Sequence, residues 1–316
     1  MRSLIIVTLA LASVSAANAQ EKEVEFASFQ LSDSVYMLTG SGGNVGISTG
    51  KNGLYIVDDQ VKEVTGPLLD AIRKISNKPI RFVINTHYHA DHTGGNEVIG
   101  KAGAVIVAQD NVYKRMSSEQ ASVFMNNTTP AYPDSALPVM TFNDKMSLHL
   151  NGETATAYHV AHGHTDGDSI IRFEGSNVIH MGDMYFNGMY PYIDLDAGGS
   201  VGGMIDAADL ALSLADNKTR IIPGHGPLAM PEDLRSYRDY LVAATGNVKD
   251  LIDEGKNLQQ VIAAKPTAEW DETLGAVWIT PAQFVTFIYN SLEGIHHYTP
   301  PPAAPALESA DDDSSS

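Results

Sequence analysis

The stretch Arg81 to Gly95, RFVINTHYHADHTGG, places His87, His89, Asp91 and His92 within six positions. The chain has 11 histidines and no cysteine, so imidazoles and carboxylates are its candidate metal ligands. The apolar run Phe82-Val83-Ile84 reads as a buried strand. If that strand extends to Thr86, His87 and His89 continue its two-residue alternation and can point the same way. Asp91 and His92 follow where Gly94 and Gly95 let the chain turn at little steric cost. Two imidazoles plus a carboxylate–imidazole pair suit a borderline metal such as zinc. A solvated polar loop is the plain alternative, but such loops rarely carry H-x-H-x-D-H directly after an apolar run.

Three later segments repeat the device of strand, glycine and ligand. VAHGHTDGDS offers His164, VIHMGDMYF offers Asp183 and IIPGHGP offers His225. An α/β framework aims side chains at one edge in this way. Asp58 closes the run LYIVD. His159 reads as a packed or hydrogen-bonded strand histidine and His180 as core. His149, His296 and His297 have no supporting context. Asp166 and Asp168 suit turn or capping roles as well as orienting ones. In MYFNGMYPYIDLD, Tyr185, Tyr190 or Tyr192 could meet a substrate, or simply pack under a loop.

These residues sit in a recognisable order of elements. Residues 34–60 alternate apolar runs with Gly and Asn turns, the pattern of antiparallel hairpins. The spacing of Leu68, Leu69, Ile72 and Ile75 predicts a helix over 62–75. A short helix at 95–100, a strand at 104–107 and a helix over 108–126 follow, then a loop at 127–144. Strands are expected at 153–160, 169–174, 177–181 and 220–222, with a helix near 201–215. Helices over 231–253, 258–264 and 281–293 end the pattern. Strands followed by helices, twice over, point to an α/β protein, an αβ/βα sandwich with a helical C-terminal extension.

The N-terminus, MRSLIIVTLALASVSAANAQ, reads as a secretory signal over 1–19, cleaved after Ala19, so export to the periplasm or beyond is expected. Its apolar run is shorter than the ~20 residues that span a bilayer. The tail from Thr299 to Ser316 is rich in Pro, Ala, Ser and Asp and is expected to be disordered. A net charge of −18 argues against nucleic acid or an anionic membrane as partner and leaves a small-molecule substrate. An exported chain without cysteine relies on its core, which a mature length of about 300 residues can supply.

H-x-H-x-D-H with G-H-T, G-D and G-H-G, in this order, resembles the metallo-β-lactamase-fold hydrolase superfamily over residues 30–230. The resemblance implies the four-layer αβ/βα sandwich of that family over residues 20–230, with 231–298 as the helical extension. It favours His164 over His162 through the G-H-T context. It implies two zinc ions per chain: His87, His89 and His164 on one, Asp91, His92 and His225 on the other, with Asp183 between them. Asp58 would support the metal loop from behind. Iron or manganese in place of zinc stays open.

The implied activity is hydrolysis of an ester, thioester, lactone or β-lactam carbonyl by a water activated at the metal pair, with Asp91 orienting it or passing its proton. The family's flavin-linked di-iron branch usually has a carboxylate where this chain has His89. A mononuclear-iron, persulfide-oxidising branch shares H-x-H-x-D-H, so redox chemistry is one alternative. The others are a β-lactamase proper and a catalytically inert metal-binding protein. Asp183 separates the first two readings. The family's β-lactamases carry a cysteine or serine at that position, whereas its glyoxalase-II-like thioesterases and lactonases carry aspartate.

Overall fold

A computed structural model describes residues 24–300. The expected leader, and the expected tail beyond Pro300, lie outside that span. Along the described residues the strands are β1 (Ala27–Gln30), β2 (Val35–Thr39), β3 (Val45–Gly50), β4 (Gly53–Val57), β5 (Ile80–Ile84), β6 (Val105–Gln109), β7 (Gln120–Ser122), β8 (Asn127–Thr129), β9 (Met140–Phe142), β10 (Lys145–Leu150), β11 (Glu153–His159), β12 (Ser169–Phe173), β13 (Val178–His180) and β14 (Arg220–Ile222). The helices are α1 (Thr65–Ile75), α2 (Ala90–Thr93), α3 (Asn96–Lys101), α4 (Asp110–Met116), α5 (Val201–Leu214), α6 (Pro231–Asp253), α7 (Leu258–Ala263), α8 (Ala268–Leu274) and α9 (Pro281–Leu292).

Two sheets form the middle of the molecule, ordered β1-β2-β3-β4-β5-β6-β9 and β10-β11-β12-β13-β14. In the first, β1 to β4 are antiparallel neighbours, whereas β4, β5, β6 and β9 run parallel. In the second, only β13 and β14 pair in parallel, joined through α5.

The strand sequences show why the sheets stack. The residues Leu54 to Val57 of β4 are all buried, but successive side chains point to opposite faces. Tyr55 and Val57 enter the core between the sheets; Leu54 and Ile56 enter the core beneath α1 and α3. The second sheet does the same: Ile171, Phe173, Val178 and Ile222 face the first sheet, while Ile170, Ile179 and Ile221 face α5 and α6. Tyr55 and Phe173 stack across the middle, ring centroids 5.8 Å apart. Each such side chain contributes roughly 1.5–3 kcal/mol by leaving water. The result is helices, sheet, sheet and helices, a four-layer α/β sandwich with helices at its C-terminal end.

The C-terminal helices α6 to α9 join α5 in the outer core rather than standing apart, through Leu234, Leu241, Phe284 and Phe287 among others. Their starts are legible in the sequence. Asp233 accepts from the Met230 amide at 2.8 Å ahead of Pro231. Thr280 and Gln283 bond reciprocally around Pro281.

Two expectations need correction. The helix expected over 108–126 stops at Met116. Ser117 and Ser118 turn their hydroxyls back onto the Lys114 carbonyl, competing with helix continuation. The chain then forms the β7–β8 hairpin, with Asn126 at a positive φ of 49° in its turn. Met116 is buried and Met125 exposed, so the two do not share a face. The loop expected at 127–144 is mostly irregular but contains β8 and β9. The sequence reading passed over β1 and the short α8, whose local signals are weak, and the edge strand β10, although its Met146, Leu148 and Leu150 alternate with polar residues.

Candidate metal centre

The key side chains leave from the C-terminal ends of strands. The loop after β5 carries His87, His89, Asp91 and His92. His164 follows β11, Asp183 follows β13 and His225 follows β14. Since β11, β13 and β14 run the same way, these ends share one edge, where open α/β sheets place their ligands. The seven side chains meet there in two groups. His87, His89, His164 and Asp183 form one; Asp91, His92 and His225 form the other. Within each group the possible ligand atoms all lie within 4.8 Å of one another.

Asp183 faces both groups. Its Oδ2 lies 3.8 Å from His87 Nε2, 3.6 Å from His164 Nε2 and 3.4 Å from His225 Nε2, and its Oδ1 lies 2.9 Å from His92 Nε2. Asp91 Oδ2 is 3.2 Å from His225 Nε2 and 3.5 Å from His92 Nε2. Two glycines make this crowding possible. A Cβ on Gly43 would lie 2.1 Å from the His92 ring, and one on Gly224 would lie 2.1 Å from Asp183 Oδ1.

An accounting of ring protons shows where the free lone pairs point. His92 Nδ1 donates to Asp58 Oδ2 at 2.8 Å. Asp58 also accepts from the Thr86 amide and hydroxyl, at 2.7 and 2.8 Å. The Thr86 hydroxyl, its proton so committed, accepts from His87 Nδ1 at 3.0 Å. His164 Nδ1 donates to the Tyr192 carbonyl at 2.9 Å. His89 Nε2 donates to Asp194 Oδ2 at 2.8 Å, where the Tyr88 hydroxyl also donates. In its neutral form each of these four imidazoles gives its outer proton to the protein and turns a bare nitrogen inward.

That inner set fits a metal. His89 Nδ1 and His164 Nε2 lie 2.8 Å apart; the outer bonds leave both as acceptors unless His89, its burial outweighed by Asp194 and so held above its ordinary range, carries a second proton. His87 Nε2, His92 Nε2 and Asp183 Oδ1 are buried, and apart from the 2.9 Å approach of His92 to Asp183 none has a hydrogen-bond partner. Buried polar atoms are rarely left so. Cations resolve every one of these conflicts, and imidazoles tied outward to carboxylates and carbonyls are the usual metal-binding arrangement.

The electrostatics agree. Burial opposes charge on His92, but Asp183, Asp91 and Asp58 outweigh it and hold the ring well above its ordinary range. Burial likewise opposes charge on His225, yet Asp183 and Asp91 push it up to about 9. Burial alone dominates at His164, pulling it down to about 4, and with His92 nearby it holds His87 well down. Without metal, protons would partly neutralise the carboxylates here.

The remaining expectations sort plainly. His162 is exposed and donates to the Gly198 carbonyl, away from the cluster. His159, at the end of β11, bonds the Asp168 carbonyl just ahead of β12. His180 is buried against the Asn44 carbonyl. Asp168 holds the turn after His164 through Thr165, and Asp166 pairs with Arg115. Tyr185 packs on Tyr237, and the Tyr190 hydroxyl is committed to Asp271. Tyr192 reaches the site, its ring stacked 5.8 Å from His89. A cavity of about 360 Å³ opens over the cluster, lined by Tyr88, Asp91, Arg115, Tyr192, Asp194 and His225 among others. Asp194 and Arg115 escaped the sequence reading because no local motif marks a residue that meets the site from another part of the chain, and Tyr88 escaped it because it fills a variable position of H-x-H-x-D-H.

Comparison with known proteins follows this geometry. Residues 45–225 match the family model described as the metallo-beta-lactamase superfamily. Among similar solved structures is a metallo-beta-lactamase from Pontibacter korlensis, 18% identical, TM-score 0.57, covering 69% of this chain and 99% of that one. Another is the DIM-1 metallo-beta-lactamase, 19% identical, TM-score 0.55, covering 70% of this chain and all of that one. The stereoselective inverting sec-alkylsulfatase Pisa1 from Pseudomonas sp. is 17% identical with TM-score 0.65. It covers 84% of this chain, which spans 50% of that protein. At these identities the likeness is one of fold. Together with the family match over more than half its length, it shows that the chain belongs to the metallo-beta-lactamase superfamily.

Proposed function

We propose that this protein is an exported dizinc hydrolase acting on the carbonyl of an ester, thioester, lactone or lactam. The observation that carries the reading is Asp183, whose two oxygens face both histidine groups at once. His87, His89 and His164 would hold one zinc, Asp91, His92 and His225 the other, and Asp183 both. When bound, such a pair supplies a Lewis acid for the carbonyl oxygen and lowers the pKa of water towards ~7.

The chain's own residues do the rest. Asp91 is the more exposed cluster carboxylate, 31% against 5% for Asp183, and it lines the cavity. It is the carboxylate placed to orient the attacking water and to pass its proton to the leaving group. Asp194 and the Tyr192 carbonyl fix the rings of His89 and His164, so the site is organised before substrate arrives. Tyr88 and Tyr192 wall the cavity and exclude water from one side. An aspartate between the two groups supports the thioester, lactone and ester readings ahead of a β-lactamase proper.

The test is metal content of the purified mature protein, with activity on one thioester, one lactone, one aryl ester, one cephalosporin and one alkyl sulfate. The expected result is two zinc ions, loss of acyl hydrolysis on chelation and its return with zinc. Bound iron with oxygen consumption on a persulfide would overturn the reading in favour of redox chemistry. A fully zinc-loaded protein inert towards the whole panel would make it a binding protein.

A further inference from the structure

Two clefts, not one, open at this site. The first is the cavity of about 360 Å³ walled by Tyr88, Tyr192 and Met125. The second, of about 780 Å³, runs past Phe29, Met189 and Leu228. They share His225 and Trp278. Trp278 stands half-exposed between α8 and α9, with Tyr192 at 5.7 Å and Phe186 at 6.5 Å between ring centroids. An indole supplied by the C-terminal helices therefore divides the space beside a residue of the cluster.

The charges on these walls are unusual for an enzyme of anions. Among the described residues lining the first cleft, Arg115 is the sole Lys or Arg. Its Nε and Nη2 form a bidentate pair with Asp166 at 2.7 and 2.8 Å, and its Nη1 donates to Gln120 at 3.0 Å. Its charge is matched by Asp166, and three of its five N–H donors are already in use. No Lys, Arg, Asp or Glu is among the described residues lining the second cleft. An anionic arm in either cleft would lose its water without gaining a free cation. The net charge of −18 also disfavours the approach of anions.

We infer that the substrate is an uncharged carbonyl compound carrying an apolar group on each side of the scissile bond, one for each cleft, with Trp278 between them. The inference rests on the hydrolase reading and names the substrate class of that same site. Groups that bind the acyl and leaving sides separately raise affinity in proportion to the apolar surface each buries, about three- to fourfold per methylene. A remote carboxylate or sulfate gains nothing comparable here.

The test uses the zinc-loaded full-length mature protein and three 4-nitrophenyl esters: acetate, hexanoate and the mono-ester of adipic acid. Hexanoate and adipate differ chiefly in a terminal methyl against a carboxylate. The expected order in kcat/KM is hexanoate above acetate, and hexanoate at least about tenfold above adipate, the difference lying in KM. Replacing the aryl leaving group by ethyl should also raise KM. Trp278→Ala should shrink the preference for larger groups on both sides. Asp166→Asn, which frees Arg115, should shift selectivity towards adipate. Adipate turned over as well as hexanoate by the native protein would overturn the inference and leave the hydrolase reading standing. No turnover of these esters together with inertness towards the thioester, lactone and cephalosporin would remove both.

Discussion

Asp194 accepts the Nε2 proton of His89 across 2.8 Å, although the two residues lie 105 positions apart. The carboxylate is buried and the ring largely so. Burial opposes its charge, but the bond and charge of His89 hold Asp194 down at about 2. One aspartate thus decides which nitrogen of His89 faces the cluster.

Asp194→Asn should keep the fold but weaken metal binding by about 10- to 100-fold, the usual cost of losing a carboxylate behind a metal-binding histidine. Competition against a chromogenic chelator measures this directly. Tyr88→Phe removes only the second donor to Asp194 and should cost much less. Equal losses in the two variants would show that packing, not the Asp194 charge, matters.

Asp58 should govern stability as well as the site. It gathers three hydrogen bonds, from Thr86 twice and from His92. Its φ of 62° suits Asn as readily as Asp, so Asp58→Asn isolates the carboxylate. With an amide where only acceptors serve, the metal-free protein should lose about 3 kcal/mol, two or three charge-assisted bonds being weakened at once. Urea unfolding of metal-free protein reads the loss.

Two glycine substitutions form a contrast. Gly224→Ala would put a methyl 2.1 Å from Asp183 Oδ1 and against the Gly182 backbone, so metal stoichiometry should fall. Gly246→Ala, in mid-α6 with nothing within 4 Å, should raise stability by roughly 0.5–1 kcal/mol. Metal analysis and thermal unfolding of both variants decide the point.

The pH dependence of metal binding follows from the three raised histidines, His89, His92 and His225. In the metal-free protein His225 titrates at about 9 rather than the ordinary 6.5, with burial outweighed by Asp183 and Asp91, and His92 lies well above its range. Both hold protons at neutral pH, and a metal must displace them. Affinity should therefore fall as pH drops below about 9, with protons released on binding. Calorimetry in buffers of different ionisation enthalpy counts them. His87 and His164, already neutral, contribute none. Affinity flat between pH 7 and 9 would contradict this account.

What the sequence alone decided is local. Short apolar runs bounded by turn residues marked the strands β2 to β5 and β11 to β14, because most of them bury both faces, in two different cores. H-x-H-x-D-H, and the single ligands after later strands, were legible because a glycine beside a strand end is where a chain can turn a side chain outward. Asp58, with no glycine beside it, was readable only through the resemblance. The break after Met116 was not, since the serines that end that helix also occur inside helices, and the hairpin is held by pairing rather than by propensity.

What only the tertiary structure decided is which distant groups meet. Asp194 sits in a segment whose tyrosines drew attention, yet its partner is His89. Trp278 comes from a loop between two C-terminal helices and still stands beside His225. Arg115 reads as an ordinary helical cation until Asp166 is placed against it. Such pairings join residues 51 to 105 positions apart, and they depend on how sheets and helices stack. A ligand's chemistry is written in its own side chain and neighbours; its orientation, its protonation and the space beside it belong to the packed molecule.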